Sequence, residues 1–300
     1  MLASHGRFPY SAIGDRPPFE WPEARRLAVH VSINVEYFAY NEGTGLSFSP
    51  GIPQPNTYNW GWREYGIRVG IWRLLDLCKE FELPISALVN SSVIEHAPRI
   101  IGALQEYGAE FVGHGRTNSE HQNDFDEAAE VALIAEATAA LTAATGTAPT
   151  GWLSPGVNPS AVTTDLLQEA GYRYLLDWPI DDQPVWMTTR NGGHILSVPY
   201  PQEINDIPFL VGHDGSAAQF AEAIIDNFGE MLRQSTGQSL AYGIALHTFL
   251  AGQPFRLAHL RRAFEQLAAQ RDQVWFATTG QIAEHFATLH PVPRSPSSTT

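Results

Sequence analysis

Acids, histidines and amides recur in this chain just after short apolar runs. Asn34-Val35-Glu36 follows the first run, His114-Gly115-Arg116-Thr117-Asn118 the third and Leu153-Ser154-Pro155-Gly156 the fourth. Asp177-Trp178 and then Asp181-Asp182 follow the fifth, Asn205-Asp206 the sixth, and Leu246-His247 closes the seventh. These residue types suit attack of water on an amide-like carbon. Glu36 and His114 can orient or deprotonate the water, with or without a metal, and His247 can protonate a departing nitrogen. Asn34, Asn118 and the backbone N–H groups around Ser154 can hold an oxyanion. Asn205, Asp206 and Asp182 can bind the N–H and C=O groups of a substrate. Singly, each has an ordinary explanation: His114 stands between two glycines like a turn residue, and Asp181-Asp182 reads as a solvated loop. Their recurrence at six run ends points to one site.

Such a site needs a scaffold that brings run ends together. The apolar runs read as strands over 27–34, 85–90, 110–113, 151–154, 172–176, 195–199, 240–247 and 273–277. Helical patterns fall over 65–82, 98–107, 126–145, 160–170, 216–235, 256–270 and 279–288. Repeated βα alternation predicts an α/β fold, with a parallel sheet closed or nearly closed into a barrel. On that scaffold chemistry sits at the C-terminal ends of the strands, where the candidates fall. A chain of 300 residues, 44% of them hydrophobic, is enough for one such barrel and its core. The expected division is an irregular arm over 1–25, a single barrel domain over 26–289, and a Pro/Ser/Thr-rich tail over 290–300 that reads as disordered. The loop over 39–62 is long for a βα connection, which points to a functional role.

Composition excludes several classes. With 18 basic and 32 acidic residues the net charge is −14, which argues against nucleic acid and anionic membrane surfaces as partners. A small-molecule substrate is the expected partner. A single cysteine, Cys78, rules out an internal disulfide and a cysteine-based metal site and reads as a small buried hydrophobe. No run of about 18 apolar residues reads as a membrane span, and the N-terminus carries no apolar signal region, so a cytoplasmic location is expected. His30, inside a strand, reads as a hydrogen-bonded core histidine.

The stretch from Asn59 to Arg73 is unusual, holding three tryptophans, three arginines and three glycines. Its first half reads as a loop from which Trp62 and Glu64 contact the substrate ring or a neighbouring subunit's site. A plain helix start, with Glu64 near the positive end of the dipole, is the alternative.

With these motifs the chain resembles the polysaccharide deacetylase (NodB-homology) superfamily, the carbohydrate esterase family four fold, over roughly residues 20–288. It is most similar to the branch holding the bacterial cofactor-independent allantoinases and related cyclic amide or imide hydrolases. Arg63-Glu64-Tyr65-Gly66-Ile67-Arg68-Val69-Gly70-Ile71-Trp72-Arg73 carries that likeness, supported by Gly151–Gly156, Asp181–Pro184, Asn205-Asp206, Leu246-His247 with Gly252-Gln253-Pro254, and Val274–Thr278. The resemblance implies a distorted parallel (β/α) barrel of the polysaccharide deacetylase type, a homo-oligomer (often a tetramer), and hydrolysis of a non-peptide C–N bond in a small cyclic ureide, amide or imide. Metal-dependent deacetylation of an N-acetylated sugar is the alternative, and a non-catalytic small-molecule-binding member is a further one.

The chain departs from the metal-dependent pattern. That pattern has two aspartates after the first strand and a His-x-x-x-His pair after the third; here stand Asn34-Val35-Glu36, and Asn118 four positions after His114. Leu153 occupies a position where many relatives carry arginine. No required cofactor is therefore expected, with zinc as the alternative, held by Glu36, His114 and His121. On a helix His114 and His121 would be about 10 Å apart along the axis, far for one zinc with bonds of about 2.1 Å.

Overall fold

The computed structural model describes residues 4–43 and 51–292. Layering follows from the alternation along β1 (Leu27–Val35), a strand buried along its whole length. Val29, Val31, Ile33 and Val35 pack outward with the helices, whereas Ala28 packs inward with Leu88, Val112, Tyr174 and Ala245. A period of two thus puts His30, Ser32, Asn34 and the following Glu36 on the inner face.

The other strands are β2 (Ile85–Val89), β3 (Glu110–Gly113), β4 (Gly151–Trp152), β5 (Tyr174–Leu175), β6 (Val185–Thr188), β7 (His194–Ser197), β8 (Leu240–His247) and β9 (Val274–Phe276). Their order is β6-β7-β5-β4-β3-β2-β1-β8. β9 shares one edge of β1 with β2, taking Leu27–Val29 while β2 takes Val31–Val35. The sheet is parallel except for β6 against β7. It curls into a barrel that irregular chain completes: Ala241 N on the outer edge of β8 donates to Asp182 O at 2.8 Å, and Ala245 N to Ile204 O at 3.0 Å. This is the distorted (β/α) barrel expected from the sequence.

Ten α-helices are described: α1 (Thr57–Tyr65), α2 (Ile71–Glu80), α3 (Val93–His96), α4 (Pro98–Tyr107), α5 (Glu127–Thr145), α6 (Thr163–Glu169), α7 (Ala217–Gln234), α8 (Thr248–Ala251), α9 (Pro254–Ala268) and α10 (Thr279–Leu289). Side-chain caps start several: Asp126 accepts from Ala129 N, and Ser216 and Thr278 form capping boxes.

Three features differ from the sequence reading. The first half of the Trp-rich stretch is helical, because Asn56 caps α1 by accepting from Asn59 N at 3.0 Å; Gly61 hid the helix from propensity. β6 was not expected; it forms a hairpin with β7, closed by Thr189 N donating to Gly193 O at 2.9 Å. Finally, α5 is by length and composition apolar enough to cross a membrane, where no such run was expected. Its apolarity is largely alanine, and Leu133, Ile134, Ala137 and Leu141 pack into the core. The described part of the arm, residues 4–25, straps the barrel: Arg7 pairs with Asp165 at 2.8 Å, Arg16 with Asp181 at 2.6 Å, and buried Trp21 donates to Leu240 O at 2.8 Å. Residues 293–300 of the expected tail and 44–50 of the long loop lie outside the described residues.

Candidate active site

Inward parity carries three reactive side chains to one rim. Glu36 follows Asn34 on β1, His114 follows Val112 on β3, and His247 ends β8 in register with Asn34. Glu36 Oε1 lies 3.5 Å from His114 Nε2 and 3.5 Å from His247 Nε2. Asn118 Nδ2 donates to the same oxygen at 2.9 Å. All are nearly sealed from solvent: Glu36 is 4%, His114 1%, Asn118 7% and His247 6% exposed.

Each is held from behind. His114 Nδ1 lies 2.7 Å from Leu153 O, so this nitrogen carries the proton and Nε2 faces Glu36. Asp206 accepts twice from His247, from the backbone N at 2.8 Å and from ring Nδ1 at 2.6 Å. Asn90 at the end of β2 accepts from Tyr37 N at 2.9 Å and donates to His114 O, tying the exits of β1 and β3 together.

Among the described residues three buried polar atoms of this cluster have no hydrogen-bond partner: Glu36 Oε2, His114 Nε2 and Asn118 Oδ1. Unsatisfied groups are costly when buried, and here they belong to three side chains in mutual contact. That is the signature of a place built for a bound molecule.

The charges are arranged to match. Burial pushes the Glu36 carboxyl up, but His247, His114 and Arg63 outweigh it and hold it below the usual carboxylate range. Burial pulls His247 down, but Glu36 and Asp206 outweigh it and raise the imidazole above its ordinary value. Each of the two thus favours the ionised form of the other.

Arg63, absent from the sequence-derived candidates, belongs to this site. Its guanidinium is buried over the rings of Phe249 at 4.2 Å, Trp62 at 4.5 Å and Phe38 at 5.0 Å. The backbone places it there through a π-helical turn, Gly66–Gly70, between α1 and α2. That turn crosses α8 so closely that a Cβ on Gly70 would lie 1.9 Å from Thr248 O, which explains the glycines of the motif. The sequence signals for Arg63 were its place at the head of the Arg63 to Arg73 motif and Trp62 beside it. Asn90 and Tyr200 were also missed, although both follow the strand-end rule.

Several expected residues serve elsewhere. Asn34 spends its amide hydrogens on Tyr200 Oη at 3.0 Å and Leu246 O at 3.2 Å, beneath the rim, so it has none left for an oxyanion. Ser154 donates to Asp177 through its N at 2.7 Å and Oγ at 3.0 Å. Burial pushes Asp177 up to about 6 against these bonds. Asn205 accepts from Ile207 N at 3.1 Å and shapes its own turn. Glu64 faces His96 at 3.0 Å. Trp62 packs edge-on against Phe249 at 4.7 Å and reaches the site through Arg63. Asp182 bonds Ala241, six residues before His247, so it sits about 20 Å down the strand at roughly 3.3 Å per residue. His121 turns away toward Asp124, 3.9 Å distant.

The donor set does not fit a zinc ion. Among the described residues no group of three or more His, Cys, Asp or Glu is spaced to hold a metal. Asn118 directs an amide hydrogen at Glu36, and His247 commits its Nδ1 to Asp206. His121 does not complete the set, as the sequence alternative required.

Comparison with known proteins agrees with this fold. The polysaccharide deacetylase family model matches residues 57–175. The crystal structure of Puue allantoinase is 30% identical and covers 95% of this chain and 99% of its own, with a TM-score of 0.83. A "probable polysaccharide deacetylase" of Pseudomonas aeruginosa is also 30% identical, covering 95% of this chain and all (100%) of its own at a TM-score of 0.82. A protein of Schizosaccharomyces pombe designated a polysaccharide deacetylase is 25% identical over 90% of this chain and 93% of its own. With 30% identity over nearly all of both chains, the chain belongs to the polysaccharide deacetylase family.

Proposed function

We propose that this protein hydrolyses a C–N bond in a small cyclic ureide, amide or imide. The observation that carries the reading is the buried Glu36 carboxylate, set between His114 and the His247–Asp206 pair, with unpartnered polar atoms around it. The likeness to an allantoinase supports the choice of substrate class.

In this reading Glu36 takes a proton from water as the water oxygen bonds the carbonyl carbon. His114 Nε2 positions that water. The C–N bond then breaks, and His247 Nε2 delivers its proton to the departing nitrogen, leaving a carboxylic acid and a free N–H. Glu36 and His247, 3.5 Å apart, are reset when the proton on Glu36 passes to His247. Such acid–base steps contribute about 10²–10⁴-fold each.

The test is proton release, read by a pH indicator, from allantoin, hydantoin, succinimide and dihydrouracil, with an N-acetyl chito-oligosaccharide alongside. Release from a cyclic compound, lost in Glu36→Gln and in His247→Ala, is expected. Release from the sugar alone would replace this reading with N-deacetylation.

A further inference from the structure

Charge must go somewhere when water attacks a carbonyl. Asn34 has both amide hydrogens taken beneath the rim and Asn118 gives one of its two to Glu36; neither carries a positive charge to meet it. We propose that Arg63 is the group that binds the developing oxyanion. The proposal rests on the ring-opening reading above and adds to it a catalytic residue.

The geometry is specific. Phe38 stands two residues past Glu36, and Phe249 two residues past His247. Arg63 lies over both rings, 5.0 and 4.2 Å from their centroids, so its guanidinium is lodged between the chain segments leaving the base and the acid. Phe249 in turn lies 6.0 Å from the His247 ring. An aromatic cage strips water from the faces of a guanidinium, so that its positive charge acts in a dry site. A preorganised cation in a dry site needs no reorganisation when charge develops. The electrostatics agree: burial pulls Arg63 down to about 10 against the opposing pull of Glu36, so it stays charged. As the water O–C bond forms, the carbonyl π electrons move to oxygen and meet Arg63. As the C–N bond breaks they return, and the proton on His247 goes to nitrogen.

A counter-ion that only kept Glu36 ionised would behave differently, and two arms separate the roles. In the first, kcat and KM of Arg63→Met and Arg63→Lys are followed against pH on the cyclic substrate that the wild type turns over. The expected result for Arg63→Met is a fall in kcat of about 10²–10³-fold at every pH, with Arg63→Lys between. Recovery of Arg63→Met at high pH, or a kcat within threefold of wild type, would overturn the proposal. The second arm needs no turnover. Calorimetry reads binding of N-carbamoylglycinate, the ring-opened carboxylate of hydantoin, to Glu36→Gln with and without Arg63→Met. At least tenfold weaker binding without Arg63 is expected; the lack of such a difference, including no binding to either, would overturn the proposal. If no panel compound is turned over, the ring-opening reading fails while the binding arm still decides Arg63. Melting temperatures within a few degrees of wild type show that the variants are folded, and Arg63→Lys serves where Arg63→Met is not.

Discussion

Glu36 and Glu130 are both carboxylates buried beside the barrel, yet their surroundings are opposite. Glu130, fully buried on α5, accepts from Gln122 Nε2 at 2.8 Å, Ser160 Oγ at 2.6 Å and Thr163 Oγ1, so both its oxygens are satisfied by neutral donors. Glu36 faces two imidazoles and one amide, and its second oxygen has no partner among the described residues. The histidines divide the same way. His30, inside the barrel, lies 2.9 Å from Pro199 O and 3.1 Å from Ser32 Oγ, and burial pulls it down to about 4. His247 is raised by Glu36 and Asp206 after burial has pulled it down. Burial is common to all four, so burial alone does not mark a site. What marks it is charge facing charge with lone pairs left over.

Exchange of the carboxylates breaks this comparison most sharply. Glu36→Gln should lower kcat by about 10³–10⁴-fold with little change in melting temperature, since the amide keeps the shape. Glu130→Ala should do the reverse. It strands donors on buried Gln122 and Thr163 and on half-buried Ser160, so the domain should lose about 3 kcal/mol in denaturant titration, with kcat per folded molecule held within about threefold. If Glu130→Ala abolishes turnover in folded protein, the division between the two carboxylates is wrong.

A smaller effect is expected when the His247 site is made to look like the His30 site. Activity needs Glu36 ionised and His247 protonated, so the pH profile should be bell-shaped. The acid limb should lie below the usual carboxylate value because Glu36 is lowered. The alkaline limb should lie above the usual imidazole value because His247 is raised. Asp206→Asn removes one of the charges that raises His247 and should move the alkaline limb to lower pH, with kcat down about 10²-fold at neutral pH. An alkaline limb that does not move would remove His247 from the role of acid.

The smallest effect concerns His30 and stability. Its folded-state value, about 4, lies below the ordinary 6.5. The unfolded chain therefore binds a proton first as pH falls, and stability should drop between pH 6.5 and 4, by up to about 3 kcal/mol. Raising the pH restores it. Denaturant midpoints across that range, compared with His30→Gln, should show a shallower slope in the variant.

Eight of the nine strands, their βα alternation and the rim they point to were legible in the sequence, because strand parity is a local property. Glu36 two residues beyond Asn34, His114 two beyond Val112, and His247 at the end of an eight-residue strand follow from the period of two and the parallel sheet. The tertiary structure alone decided which of the polar residues meet. Asp182 and His121 share the strand-end signature yet end up elsewhere, and Glu64 turns to His96. Asn34 is used up beneath the rim, while Asp206 becomes the partner of His247. Arg63 reaches the site only because a π-helical turn and glycine contacts with α8 rotate α1 over it. These outcomes depend on how loops and helices far apart in sequence pack against the barrel, and no local pattern encodes such distances.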